Sequence, residues 1–233
     1  MIRHLPRVDS TNAEAWRLLE AGEPPGFAVR ADEQTAGRGR EGRPFHSPAG
    51  GGLWASVTAR SALPPASLPA YGVAAGVASA EALRVLSGLA VDLRWPNDLM
   101  IGTLKLGGIL LESRGPLLVL GIGVNLTVES FPPDLAGIAT SVRLAGGRVP
   151  GPDALLKGIL AGLNGWVPDL EAGRTEGLLL RWRALCRTLG RRVRIEAGGR
   201  VLEGRLTGLD LSEIGLDTGE RLAAGHVTRL VER

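Results

Sequence analysis

An almost uninterrupted apolar run, Leu117–Leu126, constrains the fold of this chain more than any other feature. Such a run without charges is typical of a strand that is buried on both faces at the centre of a sheet. Alternation along the strand puts Gly121, Gly123 and Asn125 on one face. Because glycine weakens a strand, we expect a flat floor there, covered either by a ligand or by a closely packed helix. The polar Asn125 favours a ligand.

Further helices and strands on either side of this run predict a mixed β-sheet flanked by helices. We expect an Ala-rich amphipathic helix over 68–86 and strands over 53–58, 90–95 and 103–112. From residue 189 onwards, short alternating segments separated by glycine turns predict a small antiparallel β-barrel. The sequence therefore predicts an α+β chain with one domain over 1–188 and a second over 189–233.

A lysine stands inside the apolar strand predicted over 103–112. Alternation puts Lys105 on one face with Thr103, Gly107, Ile109 and Leu111. An ammonium group in an apolar strand needs an anionic partner, and Gly107 would leave space for one. The alternative is a lysine at a sheet edge that points to water.

An arginine- and glycine-rich segment, Gly37–Arg43, cannot bury apolar surface, and Pro44 keeps it out of a helix. Its guanidinium and backbone N–H groups are suited to close over an anion, especially a phosphate. A solvated basic loop is the alternative. The spacing also fits G-x-G-x-x-G, but Pro44 and Pro48 follow where the helix of a dinucleotide-binding unit would begin, so we reject that motif.

Composition excludes several other classes of protein. The formal net charge is only +3, and clustered cationic residues are confined to the arginine segment, which argues against nucleic-acid binding. Cys186 is the only cysteine, so an intramolecular disulfide and a thiolate zinc site are excluded. The sequence shows neither a signal peptide nor an apolar run of about 18 residues, so we expect a cytoplasmic protein with no membrane partner.

Five ordered motifs within residues 8–126 resemble those of the biotin–protein ligases. They are Asp9-Ser10-Thr11-Asn12, Gln34 with Gly37-Arg38-Gly39-Arg40-Glu41-Gly42-Arg43, Trp95-Pro96-Asn97-Asp98, Lys105 with Gly107-Gly108-Ile109-Leu110, and Gly121-Ile122-Gly123-Val124-Asn125. Each motif is a weak signal by itself, whereas their common order is specific. The resemblance implies the class II synthetase-like catalytic fold of that family, followed by an SH3-like β-barrel.

The resemblance also implies a two-step reaction. Biotin and Mg-ATP would give biotinyl-5′-AMP and pyrophosphate, and a lysine of the biotin carboxyl carrier protein of acetyl-CoA carboxylase would then take the biotinyl group as an amide. ATP and Mg²⁺ are therefore the implied cofactors. The reaction needs cations where negative charge concentrates, but no covalent enzyme intermediate. The three scattered histidines are accordingly interpreted as surface or structural residues.

Individual roles are implied in the same way. Lys105, Arg38 and Arg40 would be catalytic, with Lys105 on the biotin carboxylate and the α-phosphate and the two arginines on a loop that orders over the adenylate. Asn97 and Asp98 would serve the nucleotide side, Asp98 as a ligand of Mg²⁺. The remaining residues of the implied ligand-binding set are Ser10, Thr11, Asn12, Gln34, Gly37, Gly39, Gly107, Gly121, Gly123 and Asn125.

Two residues depart from the family pattern, because Arg94 stands where many relatives have lysine and Phe45 where many have tryptophan. The Asp9 motif begins almost at the start, so we expect a monofunctional form without an N-terminal DNA-binding domain, either monomeric or homodimeric. A lipoate–protein ligase and a non-catalytic small-ligand or nucleotide-binding module are the alternatives, with an RNA-binding protein as the weakest one. The arginine segment and the Trp95–Asp98 turn favour biotin over lipoate.

Overall fold

A computed structural model of the chain describes residues 1–211 and 213–232. Its larger part is a seven-stranded mixed sheet in the order β1-β2-β3-β7-β6-β5-β4, flanked by four helices. The elements are β1 (Ile2–Val8), α1 (Thr11–Glu20), β2 (Ala28–Gln34), β3 (Gly52–Arg60), α2 (Pro69–Ser87), β4 (Asp92–Arg94), β5 (Asp98–Ile101), β6 (Leu104–Arg114), β7 (Leu117–Asn125), α3 (Pro152–Glu171) and α4 (Glu176–Leu185). The predicted α+β architecture is confirmed.

The apolar run at 117–126 forms the central strand, as predicted. β7 lies between β3 and β6, antiparallel to both, while β1 pairs with β2 in parallel. Leu120, Ile122 and Val124 are at most 2% exposed and belong to the main apolar cluster, which also contains residues of α2 and α3. Truncating one such side chain, as in Leu120→Ala, is expected to cost about 2–5 kcal/mol of stability.

The opposite face of the sheet is covered by α1. Trp16 and Leu19 of this helix pack with Val29 of β2 and Val119 of β7 in a second, smaller apolar cluster. The apolar positions of α1 recur at helical spacing, so one side of the helix is buried and its first turn is directed along the sheet surface. This arrangement positions the Asp9 motif, at the start of α1, over the glycine side of β7.

The C-terminal part is a five-stranded antiparallel sheet, in the order β11-β10-β9-β8-β12. Its strands are β8 (Arg192–Ala197), β9 (Arg200–Leu209), β10 (Glu213–Leu216), β11 (Arg221–Ala223) and β12 (Val227–Glu232). Among the residues described, no pairing joins β11 to β12, so the predicted barrel is present as a sheet without a closing pair. Its core is continuous with that of the larger part, since Trp182 and Ile195 belong to one apolar cluster. The boundary at residue 188 stays a prediction.

Three strands, β1, β5 and β11, were not predicted. The sequence of β1 alternates imperfectly, because it lies at the sheet edge with one half-exposed face. β5 begins at Asp98, inside the segment predicted to be only a turn, and the Trp95–Pro96 peptide before it is cis. Across residues 1–211 and 213–232, no helix is long and apolar enough to span a bilayer.

Candidate active site

One face of β7 carries no side chain at two of its positions. Gly121, Gly123 and Asn125 share this face, as predicted, and the residues between them point into the core. The face is nevertheless covered. A methyl group added at Gly121 would lie 2.5 Å from Oδ1 of Asn12, and one added at Gly123 would lie 2.7 Å from Cε1 of Phe45. The expected cover of the glycine floor is thus provided by protein side chains: Asn12 of helix α1 lies on Gly121, and the ring of Phe45 lies on Gly123.

A chain of hydroxyl and amide groups runs from the first turn of α1 to the arginine loop. Ser56 Oγ lies 2.6 Å from Asn12 Oδ1 and 2.7 Å from Thr11 Oγ1. Thr11 donates to Gln34 Oε1 from both its backbone N–H (2.8 Å) and its hydroxyl (3.0 Å). Gln34 Nε2 then donates to Ser47 Oγ at 2.9 Å. The network thus contains three predicted residues, Thr11, Asn12 and Gln34. It also contains two serines, Ser47 and Ser56, that the motifs did not identify.

Asn12 leaves one group of this network unpaired. Its Nδ2 is buried and has no hydrogen-bond partner in the described part of the chain, and the residue is only 3% exposed. A buried donor without an acceptor costs about 1–3 kcal/mol. Such groups are rare in proteins, so Asn12 marks a position at which a ligand acceptor over Gly121 would be favourable.

Asp9 orders the start of α1. Ser10 is the N-cap residue, but its side chain makes no capping hydrogen bond. Its backbone N–H instead donates to Asp9 Oδ1 at 2.8 Å. Although partial burial opposes the charged form, the hydrogen bond from Ser10 and the charge of Arg17 hold the pKa of Asp9 below its ordinary value. The Ser10 hydroxyl is therefore not used to cap the helix.

A β-bulge changes the face on which Lys105 lies. Met100 of β5 pairs with Lys105, whereas Leu99 pairs with Gly107, so Leu106 is an extra residue between the two pairs. An extra residue reverses the alternation of side chains on either side of it. The predicted face of odd-numbered residues from 103 to 111 is therefore wrong.

The bulge places Gly108, not Gly107, beside the lysine. A methyl group added at Gly108 would lie 3.5 Å from Nζ of Lys105. One added at Gly107 would lie 2.2 Å from the carbonyl oxygen of Gly123, so Gly107 permits close approach of two strands and does not line the site. Gly108 is paired with Gly123 across the sheet. The ammonium group is thus brought to the edge of the glycine face.

Asp98 holds two cations at this edge. Lys105 Nζ lies 2.5 Å from Oδ1, and Arg94 Nη2 lies 2.7 Å from Oδ2 of the same carboxylate. The Asp98 side chain is 13% exposed, and those of Lys105 and Arg94 about one third. Two cations and one anion leave one net positive charge directed at the site. Arg94, which departs from the family pattern, therefore belongs to the charge cluster.

The predicted role of Asp98 as a magnesium ligand does not fit this geometry. Both of its oxygens already contact cations, so binding a metal would require breaking at least one of these ion pairs. The use of Mg²⁺ by this chain stays a prediction.

Backbone contacts fix the strand around Lys105. Its N–H donates to the carbonyl of Ile138, and its carbonyl accepts from the N–H of Thr140, both at 2.8 Å. On the other side, Asn97 Nδ2 donates to the carbonyl of Ile109 at 2.5 Å. The amide donor of Asn97 is thus used within the sheet, and its contact with a nucleotide stays a prediction. Asn125 is similar, since its Nδ2 donates to the carbonyl of Thr140 at 3.0 Å.

The arginine segment forms a narrow loop that returns to the site. Phe45 N–H donates to the carbonyl of Gly37 at 2.8 Å, and Gly39 N–H to that of Arg43 at 2.7 Å. A methyl group at Gly37 would come within 2.5 Å of the Phe45 carbonyl oxygen, so glycine is required there. Glu41 has a φ of 58°, unusual for a residue with a side chain. The loop is thus folded rather than extended.

The loop arginines differ in their partners. Arg38 Nη2 lies 3.6 Å from Oε1 of Glu112 on β6. Arg43 pairs with Glu41 inside the loop at 3.0 Å. No hydrogen bond or ion pair involves the Arg40 side chain within residues 1–211 and 213–232. Arg40 therefore contributes an uncompensated positive charge.

Several site residues were not predicted as such. Ser56 could have been found from the alternation of β3, which puts it on the face of Trp54 and opposite Gly121. Ser47 and Glu112 gave no signal in the sequence, because their roles depend on contacts between distant segments. Phe45 was noted only as a departure from the family pattern.

Two surface depressions, of about 440 and 580 Å³, lie elsewhere. They are lined by charged residues of the C-terminal sheet and of the segment that precedes it, including Arg183, Arg187 and Arg205. Neither contains a residue of the polar network or the charge cluster. We place the site at the glycine face because the unpaired Asn12 donor lies over Gly121 and the Lys105 cluster lies at the edge of this face. Asn12 and Phe45 fill the space over the two glycines.

Comparison with known proteins identifies the family of this chain. Residues 4–128, which contain all five motifs, match the model of the biotin/lipoate A/B protein ligase family. The chain belongs to this family. A biotin–[acetyl-CoA-carboxylase] ligase of Mycobacterium tuberculosis is 32% identical over 238 residues, covering 96% of the chain and 87% of the relative.

Other members of the biotin/lipoate A/B protein ligase family are longer. The bifunctional ligase/repressor BirA of Bacillus subtilis is 31% identical over 210 residues, and the chain covers 65% of its length. Among solved structures, a biotin protein ligase from Aquifex aeolicus in complex with biotin and ATP has a TM-score of 0.85 and 27% identity, with 100% of this chain and 99% of that chain covered. The confirmed fold is therefore that of the biotin protein ligases.

Proposed function

We propose that this chain is a biotin–protein ligase, which activates biotin with Mg-ATP and transfers it to a lysine of a biotin carboxyl carrier domain. The main observation behind this proposal is the unpaired Nδ2 of Asn12, which lies over Gly121 at one end of the glycine face. The Lys105 cluster lies at the other edge of the same face. A polar ring at one end and a carboxylate at the other are the features of biotin. The likeness to biotin ligases over nearly the whole chain supports this assignment.

At the ring end, the network supplies both donors and acceptors. A cyclic urea has two N–H donors and one strong acceptor, so it requires complementary groups of both kinds. Asn12 Nδ2 is a donor without a partner in the described ranges. The hydroxyl of Thr11 lies 2.7 Å from that of Ser56 and 3.0 Å from the amide oxygen of Gln34. These residues would bind the ureido group. Phe45 would have to leave Gly123 for the ligand to lie against the sheet.

At the carboxylate end, positive charge favours the first step. A biotin carboxylate oxygen attacks the α-phosphorus of ATP, a new O–P bond forms, and the bond to the β-phosphate breaks to release pyrophosphate. Both reactants are anionic, so cations that are fixed beforehand lower the barrier. Lys105 would contact the two reacting groups, and Asp98 and Arg94 would hold it in place. Arg40, which has no anionic partner among the residues described, would cover the phosphate from the loop.

In the second step, the neutral amine of the acceptor lysine attacks the acyl carbon of the adenylate. A C–N bond forms, the C–O bond to AMP breaks, and the amine loses a proton. The enzyme needs no nucleophile of its own for this step. Its contribution is to orient the anhydride and to keep water away from it until the carrier arrives.

Lipoate is the second candidate substrate, because the family includes lipoate ligases. The dithiolane ring of lipoate offers only weakly accepting sulfur atoms, so it would leave Asn12 Nδ2 without a partner. Buried polar groups left unpaired reject such a ligand strongly. The network therefore favours biotin.

The test is incubation of the chain with biotin, Mg-ATP and a biotin carboxyl carrier domain, followed by intact mass measurement. One biotinyl group is expected on the carrier, and none in reactions without ATP. A carrier that stays unmodified while a lipoyl domain is lipoylated would contradict the proposal. The cytoplasmic location stays a prediction from the sequence.

A further inference from the structure

We propose that Glu112 is a positioning residue that holds Arg38 over the glycine face, an inference that rests on the proposed ligase function. Glu112 lies in β6 opposite Val119, on the sheet face covered by α1. It follows Gly108 and Leu110 along this face of the strand. Its side chain is 28% exposed, so the carboxylate lies at the border of the site rather than in bulk water.

Trp16 fixes the direction of this carboxylate. Its indole Nε1 donates to Glu112 Oε2 at 2.7 Å, and Trp16 is only 4% exposed. An indole can only donate, so it requires an acceptor at this place. With Oε2 held by α1, Oε1 is left to face the arginine loop.

Arg38 is the loop arginine that pairs with the sheet. Its Nη2 lies 3.6 Å from Glu112 Oε1, whereas Arg43 pairs with Glu41 inside the loop. A half-exposed pair of this length contributes little to stability, which makes a purely structural role a poor explanation. A guanidinium group has five donors in a planar fork, so Arg38 can keep one edge on Glu112 and present another to an anion.

Glu112 therefore links two segments that border the site, helix α1 and the arginine loop. Glu112 connects α1, whose first turn carries Asn12, to the loop that carries Arg38 and Arg40. Without the carboxylate charge, the loop would be held less often over the glycine face. Loop opening and loss of the bound adenylate should then become faster.

Glu112→Gln tests this role, because glutamine still offers an oxygen to Trp16 but removes the charge that attracts Arg38. Glu81→Gln is the matched control, since Glu81 pairs with Arg181 between α2 and α4, away from the site. The first measurement is the rate of tryptic cleavage after Arg40, which needs no ligand. The second is the release rate of preformed biotinyl-AMP. Both variants are repeated in an Arg38→Gln background.

We expect Glu112→Gln to raise both rates about two- to fivefold, and Glu81→Gln to change neither. In the Arg38→Gln background, Glu112→Gln should have no further effect on either rate. Unchanged cleavage, or the same increase with and without Arg38, would overturn the positioning role. A wild-type chain that forms no adenylate would contradict the ligase proposal instead, and the cleavage rates would still decide the role of Glu112.

Discussion

Asp98 and Lys105 face each other from neighbouring strands, with Nζ of the lysine 2.5 Å from Oδ1 of the carboxylate. Arg94 contacts the other oxygen, so a single carboxylate holds both cations. The pairing explains how an ammonium group can lie next to apolar strands, and it assigns Asp98 to the cations rather than to a metal.

Replacing Asp98 by asparagine separates these two roles. Asp98→Asn should lower the rate of adenylate formation by about 10- to 100-fold, because Lys105 and Arg94 lose their common partner and repel each other. The Mg²⁺ concentration that gives half-maximal rate should stay the same. A large increase in that concentration would show that Asp98 binds the metal and would contradict our assignment.

Lys105→Ala should abolish most of the first step. Removing one preorganised charge from a transition state costs about 10²–10³ in rate. The fold should persist, because the lysine side chain is one third exposed and contributes little apolar burial. Lys157→Ala is the control, since Lys157 is the other lysine of the chain and is exposed on α3. Pyrophosphate release that is equal in the two variants would remove Lys105 from the mechanism.

Gly121→Ala tests the ring end of the site. The new methyl group would lie 2.5 Å from Asn12 Oδ1, and Asn12 is held in place by Ser56. Overpacking of this kind costs about 1–3 kcal/mol, so the KM for biotin should rise roughly 5- to 150-fold. The KM for ATP should change much less. Gly165→Ala, on α3 with no atom near the added methyl, should be neutral. Equal biotin KM values for the two variants would place the ring elsewhere.

A hydrogen bond between the buried Tyr71 of α2 and the exposed Glu171 of α3 predicts the pH dependence of stability. The Tyr71 hydroxyl donates to Glu171, and Ser61 donates to the same oxygen at 2.7 Å. Burial and this hydrogen bond raise the pKa of Tyr71 to about 12. The hydrogen bond from Tyr71, assisted by Ser61, lowers the pKa of Glu171 below its ordinary value although partial burial opposes this.

Tyr71 and Glu171 lose their contributions to stability at opposite ends of the pH range. The contribution of Glu171 to the free energy of unfolding is complete above its unfolded pKa, near 4.5. It is lost as the pH falls through the lower pKa of the folded state. The Tyr71 contribution is complete below pH 10 and is lost as the pH rises towards 12. Tyr71→Phe should cost about 1.5–3 kcal/mol at neutral pH and flatten both limbs of a plot of the free energy of unfolding against pH. A parallel shift of the whole curve would argue against this hydrogen bond.

The fold was predictable where one residue pattern decides between alternatives. The apolar run identified β7 as central, and the order of the motifs identified the family. The glycine face also followed from simple alternation. β1 and β5 were missed because short or half-exposed strands have weak patterns, and their pairing partners are distant in the chain.

The site was predictable only in part. The face of Lys105 was wrong because one extra residue, Leu106, reverses the alternation, and nothing in the local sequence announces a bulge. The contact of Phe45 with Gly123 and the hydrogen bond from Trp16 to Glu112 both join segments that are far apart in sequence. Such contacts depend on the complete tertiary arrangement, which a motif does not specify.

The central claim is that the glycine face and the Lys105 cluster form one site that activates biotin. Isotope exchange between pyrophosphate and ATP measures this most directly, because it needs neither a carrier protein nor a second step. We predict exchange that depends on biotin, is not supported by lipoate, and falls sharply in both Gly121→Ala and Lys105→Ala. Exchange that proceeds without biotin, or that only lipoate supports, would contradict the account.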